Sequence, residues 1–181
     1  MKKIIVLTML FFIATSSAIA AQEADSFKPK AFAFKRMYFG GGISSNDLID
    51  TVRINGNSVS YDRTQGYQVF AGYDLGMRAS NFKLLVEAGY HDSGEFKGKV
   101  KATGVRNEFR NTGPWASGVI AYEFVPRFEG FVRAGYQFQD DSGFLMGLGL
   151  GFKVIKNLSL RVEGVRRDET SSFQLNAIFH P

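Results

Sequence analysis

The feature that most constrains this chain is a two-residue rhythm, repeated in eight short runs. In Phe82 to His91, Leu84, Val86, Ala88 and Tyr90 fall on one side, while Lys83, Leu85, Glu87, Gly89 and His91 fall on the other, because side chains alternate along a strand. Phe128 to Phe138 sets Gly130, Val132, Ala134, Tyr136 and Phe138 against Glu129, Phe131, Arg133, Gly135 and Gln137. In Leu158 to Arg167, Leu158, Leu160 and Val162 oppose Ser159, Arg161 and Glu163; in Gly143 to Lys153, Phe144, Met146, Leu148, Leu150 and Phe152 oppose Leu145 and three glycines. Met37 to Ser44, Gln65 to Leu75, Thr112 to Phe124 and Ser172 to Phe179 complete the set. Most runs are about 9 to 11 residues long, the length a tilted strand needs to cross a bilayer.

Alternation does not say which face points outward, and a secreted soluble barrel of the lipocalin kind has the same period. In such a barrel the glycine-rich face would meet water, where glycines cost chain entropy without a packing return. Inside a small barrel in lipid they make space for the long charged side chains beside them, since eight strands enclose room for side chains only. Tyr67, Tyr73, Tyr90, Tyr122, Phe124, Tyr136 and Phe138 sit near run ends on the apolar face, where aromatic girdles belong. The expected fold is therefore all-β, an eight-stranded antiparallel up-and-down transmembrane β-barrel. An even strand number returns both chain ends to the same side.

The N-terminus reads as a secretory leader. Lys2 and Lys3 precede the apolar stretch Ile4 to Ile13, and Ala18-Ile19-Ala20 has the small-x-small form cut by signal peptidase. An anchoring helix is the alternative, but the stretch falls short of the roughly 20 residues a span needs. Residues 1–20 are thus read as a signal peptide, 21–35 as a short periplasmic arm broken by Pro29, and 36–181 as the barrel domain. Without Lys2 and Lys3, 20 cationic side chains face 17 carboxylates, too slight a surplus for nucleic-acid binding. Cysteine is absent, so neither disulfides nor thiol chemistry enter.

Gly76 to Asn81, Val125 to Arg127 and Val154 to Asn157 are the short turns expected on the periplasmic side. On the outer side Ser45 to Thr64 and Asp92 to Asn111 are long, whereas Gln139 to Ser142 and Asp168 to Ser171 are short. Strand-like residues such as Phe109 suggest that the sheet continues above the membrane, with two tall hairpins beside two low ones.

The phrases Gln68-Val69-Phe70-Ala71-Gly72-Tyr73, Val86-Glu87-Ala88-Gly89-Tyr90 and Val132-Arg133-Ala134-Gly135-Tyr136 resemble the small outer-membrane β-barrels of Gram-negative bacteria, the OmpA-like transmembrane domain and its opacity-protein relatives. The resemblance covers Met37 to Phe179. It implies insertion in the outer membrane among lipid and lipopolysaccharide, and a last strand read by the barrel-assembly machinery through Phe173, Leu175, Ala177 and Phe179. His180 and Pro181 follow the aromatic residue at which the family usually stops.

Asp74, Lys83, Glu87, Glu123, Glu129, Arg133, Arg161 and Glu163 are candidates for a lumen charge network. Buried charges cost several kcal/mol each unless paired, so these should close the lumen; a narrow passive pore is the alternative. The resemblance implies a plug of this kind at Glu87, Glu123, Arg133, Arg161 and Glu163. The second long loop is basic through Lys97, Lys99, Lys101, Arg106 and Arg110, interrupted by Glu95 and Glu108. It could meet lipopolysaccharide phosphates or an anionic host or envelope surface by salt-screened attraction. The first loop, with Asn46, Asp47, Asp50, Asn55 and Asn57, has no calcium-loop pattern.

Catalysis is the weaker reading. Some barrels of this size remove lipid acyl chains with a rim histidine and serine, and His91 and Ser93 lie two apart, as a base and nucleophile on one strand face would. The longer pattern around such a pair is missing, and His91 falls on the lumen face. His180 looks like tail, and no cluster has metal-ligand spacing, so neither an enzyme nor a cofactor is expected. Pro114 marks a rim or bulge, and Trp115 sits either at the membrane interface or over the lumen mouth. A structural or surface-binding role through the long loops is the function these residues favour.

Overall fold

The alternating runs become strands that pair with their sequence neighbours until the last meets the first. The computed structural model describes residues 33–48, 53–54, 57–100, 106–138, 142–168 and 170–181, with backbone alone at 53–54, 57–61, 98–100, 106–107 and 109. A 3-10 turn, Phe34–Arg36, leads into β1 (Met37–Leu48). There follow β2 (Arg53–Ile54), β3 (Asn57–Tyr61), β4 (Thr64–Ala79), β5 (Phe82–Val100), β6 (Arg106–Val125), β7 (Phe128–Gln137), β8 (Gly143–Ile155), β9 (Leu158–Arg167) and β10 (Thr170–Phe179). Residues 1–32, which hold the expected leader and most of the arm, lie outside the described residues.

Strands β1 and β4 to β10 form a closed antiparallel barrel of eight, sealed by β10 on β1 from Phe39 opposite Phe179 to Leu48 opposite Thr170. Paired residues traced around the wall from Met37 pass Tyr73, Val86, Gly118, Ala134, Met146, Arg166 and Ser171 and return at Asp47, ten positions along β1 from the start. Eight strands with that stagger tilt by about 41° and enclose a backbone radius of about 8 Å. Such a bore is about as wide as the side chains that fill it.

The outer wall is apolar. Phe144 is 78% exposed, Leu148 69%, Ile43 67% and Leu150 61%, values that make sense only where lipid takes the place of a core. Tyr67, Tyr90, Tyr136 and Phe138 girdle one end, and Phe82, Tyr122, Phe128 and Phe152 the other. Ring pairs stiffen the lower girdle, with Phe82 on Tyr122 and Phe128 on Phe152, each at 4.7 Å.

Inside, Tyr38, Phe70, Leu85, Trp115, Val119, Phe131, Leu145 and Ile178 form a cluster, seated against glycines across the wall. A Cβ on Gly72 would come 2.1 Å from the Tyr38 ring, and one on Gly147 would come 3.0 Å from Arg133 Cγ. Bulk on one strand is thus matched by its absence on another. Trp115 is 2% exposed within this cluster, which overturns the membrane interface and leaves the lumen side of its two expected places: it shares the inward parity of Ser117, Val119 and Ala121, and Pro114 beside it does not break that alternation.

Several strands run past their expected ends. β4 continues to Ala79 because Gly76 adopts φ +70° within a register shift between Asp74 and Arg78, moving the tight turn to Ser80 and Asn81. On the outer side β5 and β6 stay paired beyond the girdle, past a second register shift between Asp92 and Glu95, as far as Lys99 opposite Arg106. β3, from the first long loop, pairs with this extension through Val59 opposite Val100 and Tyr61 opposite Gly98. The described parts of the two tall connections therefore form one wing on one side of the barrel. β7 to β10 end near the girdle level.

Candidate functional site

Strand parity sends Glu87 on β5, Arg133 on β7, and Arg161 and Glu163 on β9 into the lumen, and the register brings them to one level. Tyr38 Oη donates to Glu87 Oε1 at 2.7 Å, and Arg161 Nη1 donates to the same oxygen at 2.6 Å. Arg133 Nη2 donates to Glu87 Oε2, and Arg133 Nε lies 3.4 Å from Glu163 Oε2. Asn176 Nδ2 reaches Glu163 Oε1 at 2.9 Å, and Gln68 Nε2 reaches it at 3.3 Å. The guanidinium planes rest on aromatic faces, Arg133 4.8 Å from the Trp115 centroid and Arg161 4.3 Å from that of Phe131. The Glu87, Arg133 and Glu163 side chains have no exposure to solvent. Two carboxylates and two guanidiniums, each held by at least two partners, are what a low-dielectric lumen tolerates.

Sequence parity does not reveal that Lys83, Glu123 and Glu129 form a separate layer at the periplasmic end. Lys83 Nζ sits 2.8 Å from Glu123 Oε2 and 3.4 Å from Glu129 Oε2. Glu129 links this layer to the plug through Arg161 Nη2 at 3.9 Å. Asp74 joins neither: it accepts from Arg78 Nη2 at 2.6 Å and from the Gly76 amide at 2.7 Å, acting as a clasp for the β4 bulge.

Parity does extend to Arg167, which sequence reasoning missed. The residue is 2% exposed, and its Nη1 donates to Ser172 Oγ at 3.1 Å. In the Gln174 amide orientation that satisfies both ends, Gln174 accepts from Arg167 at 3.2 Å and donates to Glu163 Oε1 at 3.0 Å. No carboxylate lies within ion-pair distance of Arg167 among the described residues, so neutral partners carry this cation.

His91 and Ser93 do not form a base and nucleophile pair. The Ser93 hydroxyl donates to the Gly94 carbonyl at 2.9 Å and accepts the Asn111 amide at 2.9 Å, while His91 is wholly buried in the lumen. His180, expected as tail, instead extends the ladder: its amide donates to the Asn157 carbonyl at 2.9 Å, and its ring lies 5.4 Å from that of Tyr38.

Charge is sorted on the wing. Glu95, Lys97 and Lys99 on β5 stand opposite Arg110, Glu108 and Arg106 on β6, so alternation places four cations and two carboxylates at positions of one face. Lys97 is exposed, whereas Phe96, of opposite parity, is fully buried. Lys101 lies outside the described residues. At the base of the wing, beyond the Tyr90 girdle, Arg110 Nε donates to Asp92 Oδ1 at 3.0 Å and the Gly94 amide donates to the same oxygen at 2.9 Å. The Arg110 guanidinium holds the Asp92 carboxyl below the usual range for aspartate. Arg63 clasps Asp47 at 2.8 Å on the neighbouring rim.

The sequence profile of the OmpA-like transmembrane domain matches residues 33–164. Among solved structures, a de novo designed transmembrane β-barrel is 17% identical and aligns over 80% of this chain and 94% of its own, with a TM-score of 0.51. Ail, the attachment invasion locus protein of Yersinia pestis, solved with the heparin analogue sucrose octasulfate, is 12% identical over 79% of this chain and 96% of its own, with a TM-score of 0.48. Neisserial surface protein A is 11% identical over 80% and 97%, also at 0.48. A search among curated proteins gives no match.

Proposed function

The chain belongs to the OmpA-like transmembrane domain family of outer-membrane barrels of Gram-negative bacteria, and from that premise we propose that it is a non-enzymatic barrel, shut to flow, with a structural or surface-binding role carried by its extracellular wing. The observation that carries the proposal is the division of the molecule into a filled lumen and a one-sided outer sheet. A barrel that only stiffened the membrane would have no need of strands β3, β5 and β6 continuing together beyond the girdle.

Lys97, Lys99, Lys101, Arg106 and Arg110 are the residues proposed to meet an anionic surface, whether lipopolysaccharide phosphates or a host or envelope ligand. Neighbouring cations on one strand face raise the local potential in a salt-sensitive way. Changing Lys97, Lys99 and Lys101 together to Gln is expected to weaken binding of the refolded barrel to lipopolysaccharide at low salt. Binding that neither falls in this variant nor weakens with added salt rejects the basic wing as the contact.

The narrow passive pore remains the second reading, and the specific observation in its favour is a cavity of about 410 Å³ at the periplasmic end that reaches Arg161. Planar-bilayer conductance separates the two. Folded protein, verified by a heat-shift gel, is expected to insert silently, and discrete conductance steps altered by Arg133→Ala would replace the closed reading with diffusion. Docking of the β10 outer face, Phe173, Leu175, Ala177 and Phe179, on the assembly machinery is part of the same proposal. No step of it draws on a cofactor.

A further inference from the structure

We propose that the periplasmic end of the lumen is a binding site for a small soluble polyanion bearing phosphoryl groups. The cavity there, of about 410 Å³, falls within the range of small-molecule sites. Tyr38, Leu85, Arg161 and Ile178 line it toward the plug, and Lys35, Arg36, Arg78, Lys83 and Lys153 line it toward the periplasm. Six cations thus surround a space that receives only two carboxylates, Asp74 and Glu129.

Those carboxylates are already engaged. Asp74 is held by Arg78 at 2.6 Å, and Glu129 is shared between Lys83 at 3.4 Å and Arg161 at 3.9 Å. Lys35, Arg36 and Lys153 therefore make no ion pair among the described residues. Arg36 is also held in place: its Nη1 is buried without a hydrogen-bond partner, and the guanidinium lies against Gly76, where a Cβ would come within 2.4 Å of Nη1. The positive φ of Gly76 and the Asp74 clasp on its amide fix the backbone that carries this contact.

Unpaired cations gathered in a recess with low-dielectric walls repel one another and focus a positive potential. A multivalent anion relieves that repulsion. Phosphoryl oxygens suit the set because a guanidinium meets them with paired donors and an ammonium meets them as a point charge. The ligand enters from the periplasm, since the Glu87 plug closes the other end, and it is soluble, since the site lies inside the wall and away from the lipid face.

The test is calorimetric titration of the full mature barrel, refolded in neutral detergent, with inorganic tripolyphosphate. The expected result is saturable one-to-one binding that weakens at least tenfold in Arg36→Gln/Lys153→Gln and is unchanged in Arg63→Gln on the opposite rim. Should the double variant fail the heat-shift assay for folding, the exposed Lys35→Gln is read instead, with at least a threefold loss expected. Absence of saturable binding, or equal affinity in the vestibule variants, overturns the proposal. So does binding that appears only after Glu23→Gln/Asp25→Asn, because the chain's own arm would then be the occupant.

Discussion

Glu87 and Arg133 meet at the middle of the lumen with neither side chain reaching solvent, on strands separated by β6 in the wall. The pair therefore ties β5 to β7 inside the bore, and Arg161 on β9, opposite β5 in the wall, holds the same carboxylate. Glu87→Ala leaves Arg133 and Arg161 with one carboxylate fewer in a dry interior, and removal of one partner from such a pair costs about 3–5 kcal/mol. Urea unfolding in lipid vesicles is expected to show that loss, and a smaller one when Arg133→Met accompanies Glu87→Leu, because an apolar pair strands fewer charges.

Gly72 and Tyr38 test the matching of bulk across the wall. Gly72→Val would bring its Cβ to about the 2.1 Å separation from the Tyr38 ring found for an added carbon, an overpacking that costs on the order of 1–3 kcal/mol. Tyr38→Ala alone forfeits the hydrogen bond to Glu87 and opens a void. Combined, the two changes are expected to cost less than the sum of their separate effects in the same unfolding assay, and strict additivity would refute direct contact.

The membrane placement has its own test on the outer wall. Leu148 is 69% exposed and pairs with Val132 and Gly164, midway between the girdles. Leu148→Arg is expected to cost about 2–4 kcal/mol, whereas the same change near the interface, at Phe173, costs about 0–1 kcal/mol. Equal costs at the two positions would mean that the bilayer midplane lies elsewhere.

Much of this design is legible in the chain, because a period of two declares which residues share a face without knowledge of any partner. Glu87, Arg133, Arg161 and Glu163 are readable as inward for that reason. The same rule carries through Trp115, two before the inward Ser117, and through Arg167, four past the inward Glu163; Pro114 and the strand end obscured them. Register is a different matter, because it depends on how neighbouring strands slide. It decides that Lys83 meets Glu123 while Asp74 stays with Arg78. Nor does the polar Asn57 to Tyr61 segment announce that it will lie along β5, since its pairing is long-range and its residues would suit an open loop equally well.

At the base of the wing, Asp92 and Arg110 give a pH dependence of defined sign. The folded Asp92 carboxyl titrates below its ordinary value because Arg110 and the Gly94 amide hold the charged form. Its contribution is thus complete above the unfolded pKa of about 3.9 and is lost as pH falls through the lower, folded value. Amide exchange at the β5 and β6 bulge, corrected for intrinsic rates, is expected to keep its protection from neutral pH down to about 4 and to lose it below that. Asp92→Asn should already be less protected at neutral pH and should lack the acid step. If both proteins lose protection together on acidification, another group anchors the wing.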